Sequence, residues 1–110
     1  MYNTNKGVSM LARLHVVIDS ENDQDYLEVK QKLLTINPDF SISPNRPYQL
    51  IKDHSEFYIT IDLSEDEVKP LLDQLNNDWT GEIDECDCYG FNTKMFDQRV
   101  YCLEFTYFND

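Results

Sequence analysis

The sequence is poor in basic residues, with nine Lys and Arg against 21 Asp and Glu in 110 residues and a formal net charge of −12. Proteins that bind nucleic acids or anionic membranes neutralise phosphates with Lys and Arg. The composition therefore argues against direct contact with nucleic acid or membrane and favours a basic protein partner.

Glycine and cysteine are also scarce, at three residues each. There is no glycine-rich nucleotide motif or phosphate loop, and no cofactor is expected. An odd number of cysteines is a poor disulfide framework and suits a reducing compartment. No apolar run approaches the roughly 18 residues that span a membrane, and the N-terminus lacks the apolar core of a signal peptide. We therefore expect a cytoplasmic protein.

An apolar fraction of 41% and an aromatic fraction of 13% are typical of a folded chain. The length suits a single domain. We expect residues 8–110 to form one α+β domain and the polar residues 1–7 to be a disordered N-terminus.

Strand signals come from apolar residues at every second position. The first such segment also has Leu11 and Val17 on its second face, which favours a central strand. The pattern predicts five strands, over residues 8–18, 48–52, 57–63, 82–91 and 99–108. Connections are predicted over residues 39–47, 53–56 and 92–98.

Two segments have helical periodicity. The first has Ser20 or Asn22 as its N-cap and ends before Pro38. The second opens with a capping box at residues 64–67, and its apolar stripe extends to Trp79. Because Pro70 removes a helical hydrogen bond, we expect an irregular first turn or a helix that begins at Pro70.

The resulting order is β-α-β-β-α-β-β. It predicts two helices on one face of a mainly antiparallel sheet, in a ferredoxin-like arrangement with an extra strand. Such a fold serves many functions, so the function must be argued from a site.

Acidic residues are concentrated in residues 53–87, which hold twelve of the 21 acids and one base, Lys69. Neighbouring like charges repel, so crowded carboxylates lower the stability of the fold. A docking surface for a basic partner would explain why they are present. The alternative is a solvated face that aids solubility. The candidate partner-binding residues are Asp62, Glu65, Asp66, Glu67, Asp73, Asp78, Glu82, Asp84, Glu85 and Asp87.

Two possible metal sites fail on their spacing. The alternating acids at residues 19–25 resemble the opening of a calcium loop, but Gln24 replaces the required Gly and Lys30 the bidentate acid. On a regular strand, Cys86 and Cys88 point away from Glu85 and Asp87. We therefore expect no metal site.

Catalysis has weak support. A Cys102–His15 pair on neighbouring strands is a candidate nucleophile and base. No orienting group or oxyanion site accompanies it, so we expect no catalytic residues and no enzymatic activity.

The last strand carries an aromatic row that includes Phe105. Tyr101 and Tyr107 are candidate aromatic contacts, because tyrosine is enriched at the centres of interfaces. The alternative is that these rings belong to the core.

These features favour a monomeric, non-enzymatic inhibitor of the immunity-protein or antitoxin type. Its partner would be a basic protein such as a nuclease toxin or another nucleic-acid-binding protein. The alternatives are a ligand-binding regulatory domain of a homodimer and then a small enzyme.

Overall fold

A computed structural model describes residues 9–90 and 94–108. Two α-helices pack on one face of an antiparallel sheet of seven strands, so the predicted α+β class is confirmed. The predicted disordered segment 1–7 lies outside the described residues. Within those ranges, neither helix is both long and apolar enough to cross a bilayer.

The elements are short apart from two ten-residue strands and the two helices. The strands are β1 Ser9–Ile18, β2 Ser41–Ile42, β3 Arg46–Pro47, β4 Ser55–Ser64, β5 Thr80–Glu82, β6 Glu85–Tyr89 and β7 Val100–Tyr107. The helices are α1 Asp23–Ile36 and α2 Glu65–Leu75.

The sheet order is β2-β4-β1-β7-β6-β5, and β3 also pairs with β4. The central strand β1 is antiparallel to both β4 and β7. Strands β4 and β7 therefore run parallel to each other with β1 between them, and α2 lies in the connection. This topology is compatible with the ferredoxin-like arrangement, with a β5–β6 hairpin added beside β7.

Apolar residues at every second position of β1 face the helices and form part of the core. Leu14, Val16 and Ile18 are buried on the face that the helices cover. Tyr26 of α1 packs edge-on against Phe57 of β4, with ring centroids 5.0 Å apart. Within the described residues the other face of the sheet carries no helix. It presents mainly polar side chains, while Val17 and Cys102 are buried on it.

Side chains cap both helices at their N-termini, as predicted. The Asn22 side chain accepts a hydrogen bond from the Gln24 backbone N–H at 2.7 Å, which selects Asn22 over Ser20 as the cap of α1. In α2, Glu67 accepts a hydrogen bond from the Ser64 backbone N–H at 2.8 Å and completes the capping box.

The expected irregularity of α2 was wrong, because the helix is continuous through Pro70. Pro70 is exposed, so water can solvate the carbonyl that lacks its helical donor. The helix also ends earlier than predicted. Trp79 lies beyond it, and its Nε1–H donates to the carbonyls of Leu72 at 2.9 Å and Asn76 at 3.1 Å.

The strand expected over residues 48–52 is a turn. The Tyr48 backbone N–H donates to the carbonyl of His54 at 2.9 Å, and Asp53 takes a positive φ of 63°. The expected turn 53–56 was placed too late, since Ser55 already belongs to β4. The predicted connection over residues 39–47 contains β2 and β3.

The strand predicted over residues 82–91 is part of the β5–β6 hairpin, with Phe91 outside the described residues. Gly81 has φ +118°, and a Cβ there would lie 2.6 Å from the carbonyl oxygen of Glu85. The hairpin therefore requires glycine at this position.

A buried ion-pair network joins the segment before β7 to α1. Asp97 is 2% exposed and accepts hydrogen bonds from the Arg99 guanidinium at 2.8 and 2.9 Å and from Lys32 Nζ at 3.0 Å. The second arm of Arg99 reaches Glu28 at 2.5 Å and Asp25 at 3.4 Å. Hydrogen bonds from Arg99 are the main cause that lowers the pKa of Asp97.

We predict that Asp97→Asn lowers the free energy of unfolding by about 2–3 kcal/mol at pH 7, because charged hydrogen bonds contribute that much. The pKa of Asp97 is lower in the folded protein than in the unfolded chain. Its contribution is therefore present above the unfolded value near about 4 and declines at lower pH. Urea unfolding of both proteins from pH 7 to pH 3 tests this. A constant difference between them at all pH values would contradict it.

Candidate functional site

The helix-free face of the sheet, called here the open face, is organised in rows that cross the strands. Opposed residues in register place Thr80, Asp87, Glu104, His15 and Tyr58 in one row across β5, β6, β7, β1 and β4. Residues directly opposite each other have side chains on the same face. The row therefore forms a continuous strip of polar and aromatic groups.

His15 is held between two carboxylates at the middle of this row. Its Nδ1 lies 2.6 Å from Glu104 Oε1, and its Nε2 lies 2.6 Å from Glu56 Oε1. Each ring nitrogen of His15 therefore faces a carboxylate oxygen on a neighbouring strand.

Aromatic rings and a second cation fix the network in place. The imidazole stacks on Tyr58, with centroids 4.6 Å apart and an interplanar angle of 17°. Glu56 is 7% exposed, and its other oxygen accepts from Arg46 Nε at 2.9 Å. Both oxygens of the buried Glu56 carboxylate therefore have a partner.

A cleft of about 550 Å³ opens beside this row, between β1 and the β5–β6 hairpin. Three carboxylates line the β6 and β7 side, namely Glu85, Asp87 and Glu104. Arg13 lines the opposite side, and its guanidinium carbon lies 5.7 Å from the ring centroids of both Tyr58 and Phe108. The cleft is therefore acidic on one wall and basic on the other.

Asp87 differs from the other carboxylates of the row. It is half-buried, it lies directly opposite Glu104, and no described residue donates a hydrogen bond or forms an ion pair with its side chain. Like charges directly opposite each other on neighbouring strands are destabilising. Glu82 and Glu85 form a second opposed pair across the hairpin.

The structure divides the predicted partner-binding acids between two surfaces. Glu85 and Asp87 line the open-face cleft, and Asp62 lies on the same face at the far end of β4. Glu65, Asp66 and Glu67 lie in the first turn of α2, on the helix side, where the positive end of the helix dipole stabilises their negative charge. Asp73 and Glu82 line a second groove of about 270 Å³ beside α2 and Trp79. Asp78 is exposed just beyond α2, and Asp84 lies at the hairpin tip.

The ion pairs explain why the charge remains uncompensated here. Among the described residues, the acids of the segment with an ion pair are Glu56, which pairs with His15 and Arg46, and Asp73, whose exposed side chain lies 3.3 Å from Lys69. The stronger pairs involve Glu56 and the network around Arg99. Eight of the ten candidate acids have neither an ion pair nor a helix-capping role within the described part of the chain. These eight are Asp62, Glu65, Asp66, Asp78, Glu82, Asp84, Glu85 and Asp87.

The two candidate aromatic contacts have different environments. Tyr107 is 6% exposed in the core, and its hydroxyl donates to the carbonyl of Leu63 at 2.8 Å, so it does not offer a surface contact. Tyr101 is half-buried on the open-face side. It occupies a bulge in β7, and its ring packs edge-on against His54 and Tyr89.

All three cysteines are buried, Cys86 and Cys88 in the core cluster and Cys102 on the open face opposite Val17. Burial is the main cause that raises the pKa of Cys86 to about 11 and the pKa values of Cys88 and Cys102 to about 12. Both ring nitrogens of His15 lie at hydrogen-bond distance from carboxylates, Glu104 and Glu56, so the candidate nucleophile–base pair with Cys102 is not assembled. Among the described residues, no three His, Cys, Asp or Glu side chains are grouped to hold a metal ion.

Sequence reasoning missed the central role of Glu56, Glu104 and Arg13. The sequence placed Glu56 in a predicted turn. The acidic residues were compared by their spacing along the chain and not by their positions opposite one another on neighbouring strands. The alternating polar residues of β1 and β7 were the available signal, but their pairing register was unknown.

Comparisons with protein-family models, curated proteins and solved structures found no match for this chain.

We predict that the three thiols resist modification in the native protein, because little thiolate is present near pH 8 when the pKa is about 11 to 12. Ellman's reagent at pH 8 should react with fewer than one thiol per chain before unfolding. All three should react in guanidinium chloride. Fast reaction of one cysteine in the native state would reopen the possibility of a nucleophilic role.

We predict strong coupling between His15 and Glu56. A double-mutant cycle with His15→Gln and Glu56→Gln should give an interaction energy toward the upper part of the range of about 0.5–3 kcal/mol. The matched control is the exposed Lys69–Asp73 pair, whose cycle should give about 0.3–0.5 kcal/mol. Equal coupling in both cycles would mean that the buried bridge adds no more than a surface pair.

Proposed function

We propose that this protein is an acidic inhibitor of the immunity-protein or antitoxin type, which binds and neutralises a basic protein such as a nuclease toxin. The supporting observation is the set of eight acids around α2, the β5–β6 hairpin and the open face that have no ion pair among the described residues. The bases Lys32, Arg46 and Arg99 pair with other acids. The remaining carboxylates are available to a partner.

In this mechanism the carboxylates replace the phosphates that the partner's basic cleft would otherwise bind, or cover that cleft from the side. A net charge of −12 accelerates the encounter with a cationic surface. Dissolved salt screens this attraction and shortens the distance over which it acts. The inhibitor acts as a monomer in the cytoplasm and requires no cofactor.

A ligand-binding regulatory domain is the second candidate. The open-face cleft of about 550 Å³ has carboxylates on one wall and Arg13 on the other, which suits a small polar ligand. This function predicts a homodimer and a stoichiometric small-molecule ligand, whereas inhibition predicts a monomer and a basic protein partner.

The test begins with capture at low salt, identification of a basic partner and measurement of its activity with and without one equivalent of this protein. We predict that the triple variant Asp84→Asn, Glu85→Gln, Asp87→Asn binds the partner at least about tenfold more weakly, chiefly through faster dissociation. Binding should also weaken steeply with added salt.

A charge-matched control changes Asp19, Glu21 and Asp39 to the corresponding amides. These acids lie outside the acidic segment and have no ion pair among the described residues, whereas Asp25 and Glu28 contact Arg99. Both variants must melt like the native protein. Equal affinity of the two triple variants, or a bound partner whose activity is unaffected, would contradict the proposal.

A further inference from the structure

We infer that the open-face cleft is the docking surface, and that it accepts the guanidinium group of an arginine side chain from the basic partner between Asp87 and Glu104. This inference rests on the proposed function and names the part of the acidic segment that makes the central contact. It assigns the central contact to the carboxylates of the cleft and not to those of α2.

Asp87 is placed where a cation would be bound. Its half-buried carboxylate has no donor among the described residues and faces a second carboxylate across the strand pair. Opposed positions lie about 4.5–5.5 Å apart at Cβ. Glu85, two residues away on the same face of β6, adds a third carboxylate at about 7 Å along the strand. One cation placed among them relieves the repulsion.

The shape of the site suits a guanidinium group. A volume of about 550 Å³ falls within the range of about 300–1,000 Å³ for sites that enclose small groups. The floor is the rigid sheet, with His15 holding Glu104 at 2.6 Å and leaving that carboxylate's remaining lone pairs available. A planar guanidinium, whose donors form a rigid fork, suits two carboxylates on neighbouring strands better than a compact ammonium does.

Arg13 does not fill the site. Its guanidinium lies against the rings of Tyr58 and Phe108, and Arg13 forms no ion pair among the described residues. It lines the far wall of the cleft. The carboxylates of β6 and β7 are therefore not compensated by Arg13.

A second copy of this chain is the other natural occupant of an uncovered sheet face. Each copy carries a net charge of −12, so two open faces would bring acidic walls together at an energetic cost. Charge complementarity therefore selects a basic partner over self-association.

The test uses a defined probe, N-acetyl-arginine amide, and its uncharged analogue N-acetyl-citrulline amide. In two-dimensional NMR at low salt, the arginine probe should shift the backbone amides of Asp87 and Glu104 in a saturable manner. The citrulline probe should not. The variant Glu85→Gln, Asp87→Asn should weaken probe binding at least fivefold, on the order expected for loss of a charged contact.

The matched control is Glu65→Gln, Asp66→Asn, which removes two unpaired carboxylates from the first turn of α2. It should leave probe binding unchanged within about twofold, as expected when only long-range charge is altered. Because the cleft substitutions relieve like-charge repulsion, that variant should melt at the same temperature as the native protein or higher. Weaker binding without loss of stability is a result that a merely structural role would not give.

Equal probe affinity of the two double variants, shifts spread evenly over α2 and the sheet, or a dimer formed through the open face would overturn the inference. The identified partner supplies a second measurement. If it is inhibited but binds both variants equally, the cleft assignment fails while the proposed function stands. If no basic protein is inhibited but the probe binds at Asp87, the proposed function fails and the cation site remains.

Discussion

The strict alternation of β1 is the constraint on which the rest of the structure depends. Because β1 pairs with both β4 and β7, its apolar face must meet the helices and its polar face must line the open side of the sheet. A shift of one residue would exchange the two faces. His15 secures the register, because its two ring nitrogens meet carboxylates on both neighbouring strands, Glu56 and Glu104.

The distribution of the few bases determines where negative charge remains. Arg99 and Lys32 compensate Asp97, and Arg46 compensates Glu56, at positions where an unpaired carboxylate would be buried. Leaving a buried charge unpaired is strongly destabilising, whereas an exposed carboxylate can be solvated. These three bases therefore serve buried carboxylates, and the excess of acids accumulates at the surface around α2 and the hairpin.

The features that could be predicted from sequence are those with a local cause. Alternation located β1 and β4, and the capping box located the start of α2. The β5–β6 turn was missed because Ile83–Asp84 is not a usual hairpin dipeptide. The end of α2 was placed too late because Trp79, which lies beyond the helix, continues its apolar stripe in the sequence. The site was missed because it depends on which residues face each other across strands, and register follows from the whole sheet.

The two groups of acids have different physical consequences. Around α2 the carboxylates are exposed, so their field is screened over a Debye length of about 8 Å at physiological salt and affects mainly the rate of encounter. Asp87 lies half-buried in a cleft on a rigid sheet, where solvent screens it less and a bound cation is held more strongly. On the proposed function, a basic partner would be attracted by the whole segment but retained at the open face, and net charge alone would not determine which basic protein is bound.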